Sequence, residues 1–168
     1  MANDYIYNEH NKEEFPPAHT AEHLLNQLMV RMFGCERSSN AHIERKKSKI
    51  SYILDHKPDR KEEKEIEQRM NELIDEDMPV TYQNVTRSEL EGIIMDAEPD
   101  SPESRLSLER LPEDASDTIR LVRIGDFDVC PCIGKHVRST SQIGRFEMLG
   151  TNWDNDKRSF RIRYKVIQ

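Results

Sequence analysis

The sequence lacks long hydrophobic runs, and this absence limits what the chain can be. No apolar segment among its 168 residues approaches the roughly 18 residues that a membrane-spanning helix needs. The first fifteen residues are polar and show no basic region followed by an apolar stretch, so no secretory signal is visible. The six glycines form no phosphate-binding loop after a predicted strand, which leaves nucleotide-dependent chemistry without an anchor. These absences predict a cytoplasmic protein that has no membrane partner.

Cysteine is scarce and odd in number, and apolar residues are not abundant either. Three cysteines in a chain with no visible export signal favour reduced thiols, with one used as a metal ligand, over a disulfide framework. The hydrophobic fraction is 35% and the charged fraction is 34%, which fits a solvated surface around one core. A chain of this length is expected to form one domain, and nothing in its composition predicts an oligomeric state.

Charge is distributed unevenly along the chain, although the net charge of −7 argues against a general nucleic-acid binder. Residues 59–117 hold 7 basic and 19 acidic residues, a local net charge of −12. Residues 135–168 hold 8 basic and 3 acidic residues, a local net charge of +5. The basic end is consistent with a polyanion docking there, and equally with an edge strand whose charges prevent aggregation.

Hydrophobic periodicity predicts an α+β fold in which antiparallel strands pack with helices. Residues 1–15 are expected to be a flexible lead-in, and residues 16–168 a single domain. Within that domain, residues 97–117 contain three prolines and many acids, which predicts a loop excursion. The predicted helices are residues 18–33, 60–75 and 88–95, the last with its N-cap near Ser88, and the predicted strands are residues 41–45, 49–54, 80–85, 118–124, 127–130, 145–151 and 159–167.

Two pairs of metal-capable residues stand out from this background. His19 and His23 are four residues apart, and so are Cys132 and His136. On a helix, residues with this spacing lie on one face, about one turn apart. Imidazole and thiolate are preferred zinc ligands, and the four residues could together build a tetrahedral site. Such a site would join the start of the domain to its end.

The first pair also matches a different zinc pattern. His19, Glu22 and His23 fit the H-x-x-E-H arrangement of a group of metalloproteases, in which the histidines bind zinc and the glutamate activates water. That chemistry needs a further acidic ligand on another helix and a larger fold. It also leaves the second pair without a role. A protease therefore stays open only as an alternative.

The motifs in their context resemble a known family. The segments HTAEHLLNQLM and IRLVRIGDFDVCPCIGKHVRSTSQIGRFEML are separated by three predicted strands and two predicted helices. The second motif is followed by Val137 and by Ile143-Gly144. Together they resemble the second additional domain shared by threonyl- and alanyl-tRNA synthetases, and in particular the freestanding alanyl-tRNA editing proteins of the AlaX family. The resemblance covers about residues 16–167.

The resemblance implies a zinc-dependent hydrolase that removes a wrong amino acid from tRNA in trans. The family's Zn²⁺ ligands fall on His19, His23, Cys132 and His136. A metal-bound water would attack the aminoacyl ester. A second site that hydrolyses errors is expected here, because a small pocket discriminates poorly between alanine and serine. Thr20 is the best candidate for recognising a serine hydroxyl, and its alternative role is to bond the backbone in the first helical turn.

The resemblance leaves the mischarged tRNA partner open. The family's alanyl type implies Ser- or Gly-tRNA(Ala) as substrate. Only Gly134 of the common alanyl pattern Cys-Gly-Gly-Thr-His stands between the ligands here, which makes Ser-tRNA(Thr) the alternative. A non-catalytic, zinc-stapled domain that binds tRNA or a synthetase is the non-enzyme alternative. The residues expected to contact the tRNA substrate are Gly134, Lys135, Arg138, Arg145, Arg45 and Lys47.

Overall fold

The computed structural model describes residues 14–110 and 118–168. Within these residues the chain has three α-helices and two antiparallel sheets, so the predicted α+β class is confirmed. Residues 1–13 of the predicted lead-in and residues 111–117 of the predicted excursion lie outside the described residues. The elements are α1 (Pro16–Phe33), β1 (Asn40–His42), β2 (Ser48–Ile53), α2 (Arg60–Asp75), β3 (Val80–Thr86), α3 (Arg87–Met95), β4 (Thr118–Ile124), β5 (Asp128–Pro131), β6 (Arg145–Asp154) and β7 (Ser159–Ile167).

Helix α1 is bounded by residues that suit its two ends. It begins at Pro16, two residues before the predicted start, because proline is preorganised for the first helical turn and has no N–H to satisfy there. It ends before Gly34, whose φ of 68° is the left-handed conformation that glycine adopts readily. The apolar residues Leu24, Leu25, Leu28 and Met29 recur at helical spacing and are buried, and the partly buried Met32 packs against the same core.

Helix α1 packs against the first sheet, in which the strand order is β1-β2-β7-β6. Two buried tyrosines of this sheet bond to the helix. The Tyr52 hydroxyl donates to Asn26 Oδ1 at 2.8 Å, and the Tyr164 hydroxyl donates to the Ala18 carbonyl at 3.1 Å. Since both donors come from sheet residues that are almost completely buried, these bonds set the position of α1 relative to the first sheet.

The second sheet, with the order β3-β4-β5, has a core on each face. Alternate residues of a strand point to opposite faces. Val122 and Ile124 join the main core, which also contains the apolar residues of α1. Ile119 and Leu121 pack on the other face in a second, smaller core. One face of this sheet therefore belongs with α1, and the other is covered by α3 and the segment after it.

Capping residues define the other two helices. Asp59 and Glu62 form a capping box at the start of α2, whose bounds are those predicted. Helix α3 begins at Arg87, and the predicted N-cap near Ser88 is corrected. The Thr86 hydroxyl accepts from the Glu89 N–H at 3.0 Å and is the cap, because it stands three residues before the glutamate that completes the box.

The acidic excursion is folded over part of its length. It contains two short 3-10 helices, Pro102–Arg105 and Leu108–Arg110, and Leu106 between them is buried in the second core. An ion pair between Glu103 and Arg123 connects it to β4. In the part of the chain that the structure describes, no helix combines the length and the apolarity that crossing a membrane requires.

Candidate metal centre

The first pair of predicted ligands lies on α1. His19 and His23 are one helical turn apart, and Gln27 continues the same row one turn later. His23 and Gln27 are buried, whereas His19 is half-buried near the start of the helix. The row faces the second sheet, because Gln27 Nε2 donates to Asp128 Oδ1 of β5 at 3.0 Å. Helical periodicity alone thus places two imidazoles side by side.

The second pair lies in a loop, so helical geometry does not bring Cys132 and His136 together. The chain after β5 turns at Gly134, whose N–H donates to Cys132 Sγ at 3.4 Å. Arg120 of β4 holds this turn, since its guanidinium donates to the Cys132 carbonyl at 2.7 Å and to the Gly134 carbonyl. The loop's other end, after His136, is bonded to β3, because the Val80 N–H donates to the Arg138 carbonyl at 2.8 Å.

The structure brings all four predicted ligands into one cluster. One ligand atom from each of His19, His23, Cys132 and His136 lies within 4.8 Å of the others. The ring centroid of His136 is 4.2 Å from that of His19 and 4.5 Å from that of His23. Cys132 Sγ lies 3.5 Å from His19 Nε2. Three imidazoles and one thiol at such separations form a group that could hold a metal ion.

Hydrogen bonds at the outer nitrogens fix how two of the rings face the cluster. His19 Nδ1 lies 3.1 Å from the Lys135 carbonyl, which can only accept, so Nδ1 carries the proton and Nε2 is free to bind a metal. His136 Nδ1 lies 2.9 Å from the Thr20 hydroxyl, which also accepts from the Val137 N–H at 3.2 Å. His136 Nε2 is buried and has no hydrogen-bond partner among the described residues.

A buried ionic network stands behind His23. The Asp128 carboxylate is almost completely buried, and it accepts from Arg37 at 2.6 and 3.3 Å and from Gln27. Its Oδ2 lies 3.9 Å from His23 Nδ1, another buried ring nitrogen that has no hydrogen-bond partner in the described part of the chain. Such a carboxylate behind a histidine is the usual means of orienting a metal ligand.

Burial sets the protonation of the cluster in favour of metal binding. Desolvation holds the pKa of His19 below its ordinary value and that of His23 well below it. Desolvation, together with the neighbouring His19 and Arg120, lowers the pKa of His136 to about 3. The three imidazoles are therefore neutral near pH 7, the form in which histidine binds a metal. Burial raises the pKa of the Cys132 thiol, and a bound cation would reverse this by stabilising the thiolate.

Glu22 lies beside the cluster and is more buried than a surface glutamate. Its Oε1 is 3.7 Å from His19 Nε2. Desolvation raises the pKa of Glu22 to about 7, and the charge of Arg37 opposes this shift. In the H-x-x-E-H alternative this residue would activate water, but among the described residues the group around the two histidines is completed by Cys132 and His136.

The predicted substrate residues lie in several parts of the structure. Gly134 and Lys135 lie in the ligand loop, and the Lys135 N–H donates to Glu14 Oε1 at 2.9 Å. Arg45 stacks on Phe15, just before α1, with its Cζ 4.4 Å from the ring centroid.

The remaining basic residues do not meet the cluster. The Arg138, Arg145 and Lys47 side chains are exposed, and within residues 14–110 and 118–168 no described hydrogen bond, ion pair or ring contact joins them to the four ligand residues. Their role as tRNA contacts stays a prediction. So does recognition of a serine hydroxyl by Thr20, whose own hydroxyl is completely buried and bonded to His136 and Val137.

Sequence reasoning missed several residues that support the site. The sequence does not single out Arg37 or Gln27, and it offers Asp126, Asp128 and Glu22 equally as the carboxylate that could orient a histidine. Gln27 had a usable signal in its spacing of four from His23. Arg120 had another, because it is a basic residue on the same strand face as two apolar core residues.

Comparison with known proteins shows which domain family part of this chain resembles. The family model of the threonyl and alanyl tRNA synthetase second additional domain matches residues 119–162, which run from β4 through the ligand loop into β7. The match includes two of the four clustered residues, Cys132 and His136. This part of the chain is therefore similar to the second additional domain of the threonyl and alanyl tRNA synthetases, and the predicted resemblance is confirmed.

Several curated proteins are similar over most of this chain. An alanyl-tRNA editing protein, AlaX-L, of Pyrococcus horikoshii is 29% identical over 146 residues, covering 87% of this chain and 32% of the relative. An alanine–tRNA ligase of Treponema denticola is 30% identical, covering 81% of this chain and 21% of the ligase. A threonine–tRNA ligase of Thermotoga neapolitana is 27% identical, covering 84% of this chain and 22% of the ligase. The chain spans about a third or less of the length of these relatives.

Proposed function

We propose that this chain is a zinc-dependent deacylase that hydrolyses the ester bond of mischarged aminoacyl-tRNA, with Ser- or Gly-tRNA(Ala) as substrate. The observation that carries the proposal is the convergence of His19, His23, Cys132 and His136 within 4.8 Å, in a domain similar to an alanyl-tRNA editing protein. The residues fit zinc, because imidazole and thiolate are its preferred ligands. The Nε2 atom of His136 is also buried and has no other partner within the described residues, which leaves it available to a metal.

Each of the chain's own residues has a defined task in this proposal. The four clustered side chains would hold the ion, and zinc when bound supplies Lewis acidity toward a carbonyl or a water. The Lys135 carbonyl and the Thr20 hydroxyl orient His19 and His136, respectively. Arg120 holds the turn that presents Cys132. The aminoacyl ester is already activated, so a positioned water and a polarised carbonyl are sufficient catalysis.

A panel of charged tRNAs tests the proposed reaction. We expect the purified protein, loaded with zinc, to release serine and glycine from tRNA(Ala) faster than it releases alanine from the same tRNA. Serine-charged tRNA(Thr) is included because the relatives include a threonine–tRNA ligase, and Thr-tRNA(Thr) and buffer alone are the controls. Hydrolysis no faster than in buffer for every mischarged tRNA would disprove the proposal.

Four protein ligands can also close a purely structural site, which is the basis of the non-enzyme alternative. A zinc-stapled binding domain would lose thermal stability when zinc is removed by a chelator, yet would cleave none of the esters in the panel. The protease alternative would instead cleave peptides and lose that activity in Glu22→Gln. The panel, a thermal melt with and without chelator, and a peptide substrate therefore separate the three functions.

Gly134 provides a test of the ligand geometry that does not depend on activity. A Cβ at this position would lie 2.2 Å from His19 Cε1 and 2.7 Å from His19 Nδ1, distances that no real contact allows. Gly134→Ala must therefore displace the His19 ring or the turn. We expect zinc affinity to fall about 10- to 100-fold, the usual cost of disturbing the residues that orient metal ligands. Competition with a chromophoric chelator measures it.

Gly92→Ala is the matched control for this substitution. No heavy atom lies within 4 Å of a Cβ built on Gly92, which is inside α3 and away from the four ligand residues. Replacing a glycine in a helix interior by alanine is expected to stabilise the fold by about 0.5–1 kcal/mol. Zinc affinity should stay at the wild-type value. Equal zinc affinity in the Gly134→Ala and Gly92→Ala proteins would show that the His19 contact is irrelevant to binding.

A further inference from the structure

The face of the second sheet that lies toward α1 and the four candidate ligands continues beyond them as an open surface. Directly paired residues of antiparallel strands project to the same face, so the register of β3 and β4 groups Tyr82 with Val122 and Asn84 with Arg120. Val122 is buried in the main core, whereas Tyr82 and Asn84 on the edge strand β3 are exposed. The part of this face on β3 is therefore open beside the cluster.

Tyr82 is held beside the cluster with much of its side chain accessible. Its ring centroid is 6.4 Å from that of His136, and 48% of the residue is exposed. The Arg120 Cζ lies 4.5 Å from the Tyr82 centroid. Because the same guanidinium also bonds the carbonyls of Cys132 and Gly134, the Tyr82 ring, Arg120 and the ligand loop are in contact as one array.

A large exposed aromatic ring beside a cluster of metal ligands needs an explanation other than packing. A planar ring attracts a second planar π-system, and nucleobases stack on tyrosine irrespective of their sequence. In an aminoacyl-tRNA the reactive ester and the terminal base are attached to the same ribose. When the ester carbonyl lies at the four ligand residues, the terminal base is therefore only one ribose away. It can then reach a surface beside His136, such as the Tyr82 ring.

We propose that Tyr82 is the platform on which the terminal base of the substrate tRNA stacks. The proposal rests on the proposed function, and it makes Tyr82 a substrate-binding residue that acts on the nucleotide and leaves the metal untouched. The cation of Arg120, close to the same ring, adds attraction for the neighbouring phosphate backbone. In the competing interpretation Tyr82 merely shields Arg120 from water. That interpretation predicts that Tyr82 does not affect how strongly binding depends on the terminal nucleotide.

A binding cycle with uncharged tRNA tests the stacking directly. Wild type and Tyr82→Leu are each titrated with tRNA(Ala) that ends in its terminal adenosine and with the same tRNA shortened by that one nucleotide. Leucine keeps an apolar cover over Arg120 but offers no ring. We expect loss of the adenosine to weaken binding to wild type about tenfold, the lower range for one stacked base, and to leave binding to Tyr82→Leu unchanged.

Controls separate stacking from damage to the site. Tyr82→Phe should behave like wild type, because it retains the ring. Trp153, on the β6–β7 hairpin, is another aromatic residue with an arginine, Arg158, over its ring. The Trp153→Ala protein should retain the full dependence on the terminal adenosine. Zinc content must be equal in all proteins, since Tyr82 is not a ligand.

Two results would overturn the inference. One is an equal effect of the terminal adenosine on wild type and Tyr82→Leu, and the other is wild-type affinity of Tyr82→Leu for the intact tRNA. With the active enzyme, loss of stacking should raise KM about tenfold and leave kcat nearly unchanged, because the base contact is the same in ground and transition states. An inactive wild type would instead refute the proposed function, and the binding cycle would still decide the role of Tyr82.

Discussion

Replacing Cys132 with serine is expected to lower zinc affinity by about two orders of magnitude or more and to abolish deacylation with it. A four-ligand structural zinc site binds with about 10–16 kcal/mol, so an equal share for each ligand is about 2.5–4 kcal/mol. That share corresponds to about 100- to 1,000-fold in affinity. Serine is nearly the size of cysteine, so the fold should persist. Its hydroxyl is a much poorer zinc ligand than a thiolate. Chelator competition and metal analysis by mass spectrometry give the affinity and the occupancy.

Cys35 supplies the matched control for the thiol. It lies after α1, where its Sγ donates to the Met29 carbonyl at 3.5 Å, and it is not one of the four clustered residues. Cys35→Ser should retain wild-type zinc and activity. His23→Ala, which removes a ligand from the other motif, should lose zinc as Cys132→Ser does. Equal zinc content in wild type, Cys132→Ser and His23→Ala would show that the proposed ligand set is wrong.

Asp128→Ala is expected to lower the free energy of unfolding by about 3–5 kcal/mol, the usual cost of removing one partner of a buried ion pair. The substitution leaves the Arg37 guanidinium, whose side chain is only 15% exposed, without the carboxylate that it contacts at 2.6 Å. Burial opposes the charge of Arg37, but Asp128 and smaller contributions from Cys130 and Tyr52 together hold the pKa of Arg37 above its ordinary value. His23 also loses the carboxylate 3.9 Å from its Nδ1, so zinc affinity should fall too.

Denaturant unfolding of the zinc-free proteins isolates the stability effect from metal binding. Asp126→Ala is the control, since that aspartate is exposed in the turn two residues earlier and should change stability by less than about 0.5 kcal/mol. The double variant Arg37→Met/Asp128→Ala should recover part of the lost stability, because no buried charge is then left unpaired. Additive losses in the double variant would contradict the proposed pairing of the two residues.

The two pairs of candidate metal ligands show where sequence reasoning was sufficient and where it was not. The spacing of His19 and His23 predicted a shared helix face, because periodicity is a local property and α1 forms over residues that read as a helix. Cys132 and His136 have the same spacing, yet they lie in a loop. Their separation is set by the turn at Gly134 and by Arg120, which comes from a different part of the chain.

The residues behind the ligands could not be assigned from sequence. Asp126, Asp128 and Glu22 were all available as partners of the histidines. In the structure Asp128 lies beside His23, because its position in β5 directs its side chain toward α1, whereas Asp126 is exposed. Arg37 could not be identified from the sequence either. A single arginine outside any periodic element has no signal until the fold buries it against a carboxylate.

The sequence by itself determined the α+β class, the approximate position of most helices and strands, the four metal-capable residues and the family resemblance. These follow from local hydrophobic periodicity, capping residues and the chemistry of side chains at short spacing. Only the tertiary structure decided that the two motifs meet and that Asp128 and Arg37 support His23. It also decided that Tyr82 lies open beside the cluster. These are contacts between residues tens of positions apart, and they are set when α1 packs across one face of the second sheet.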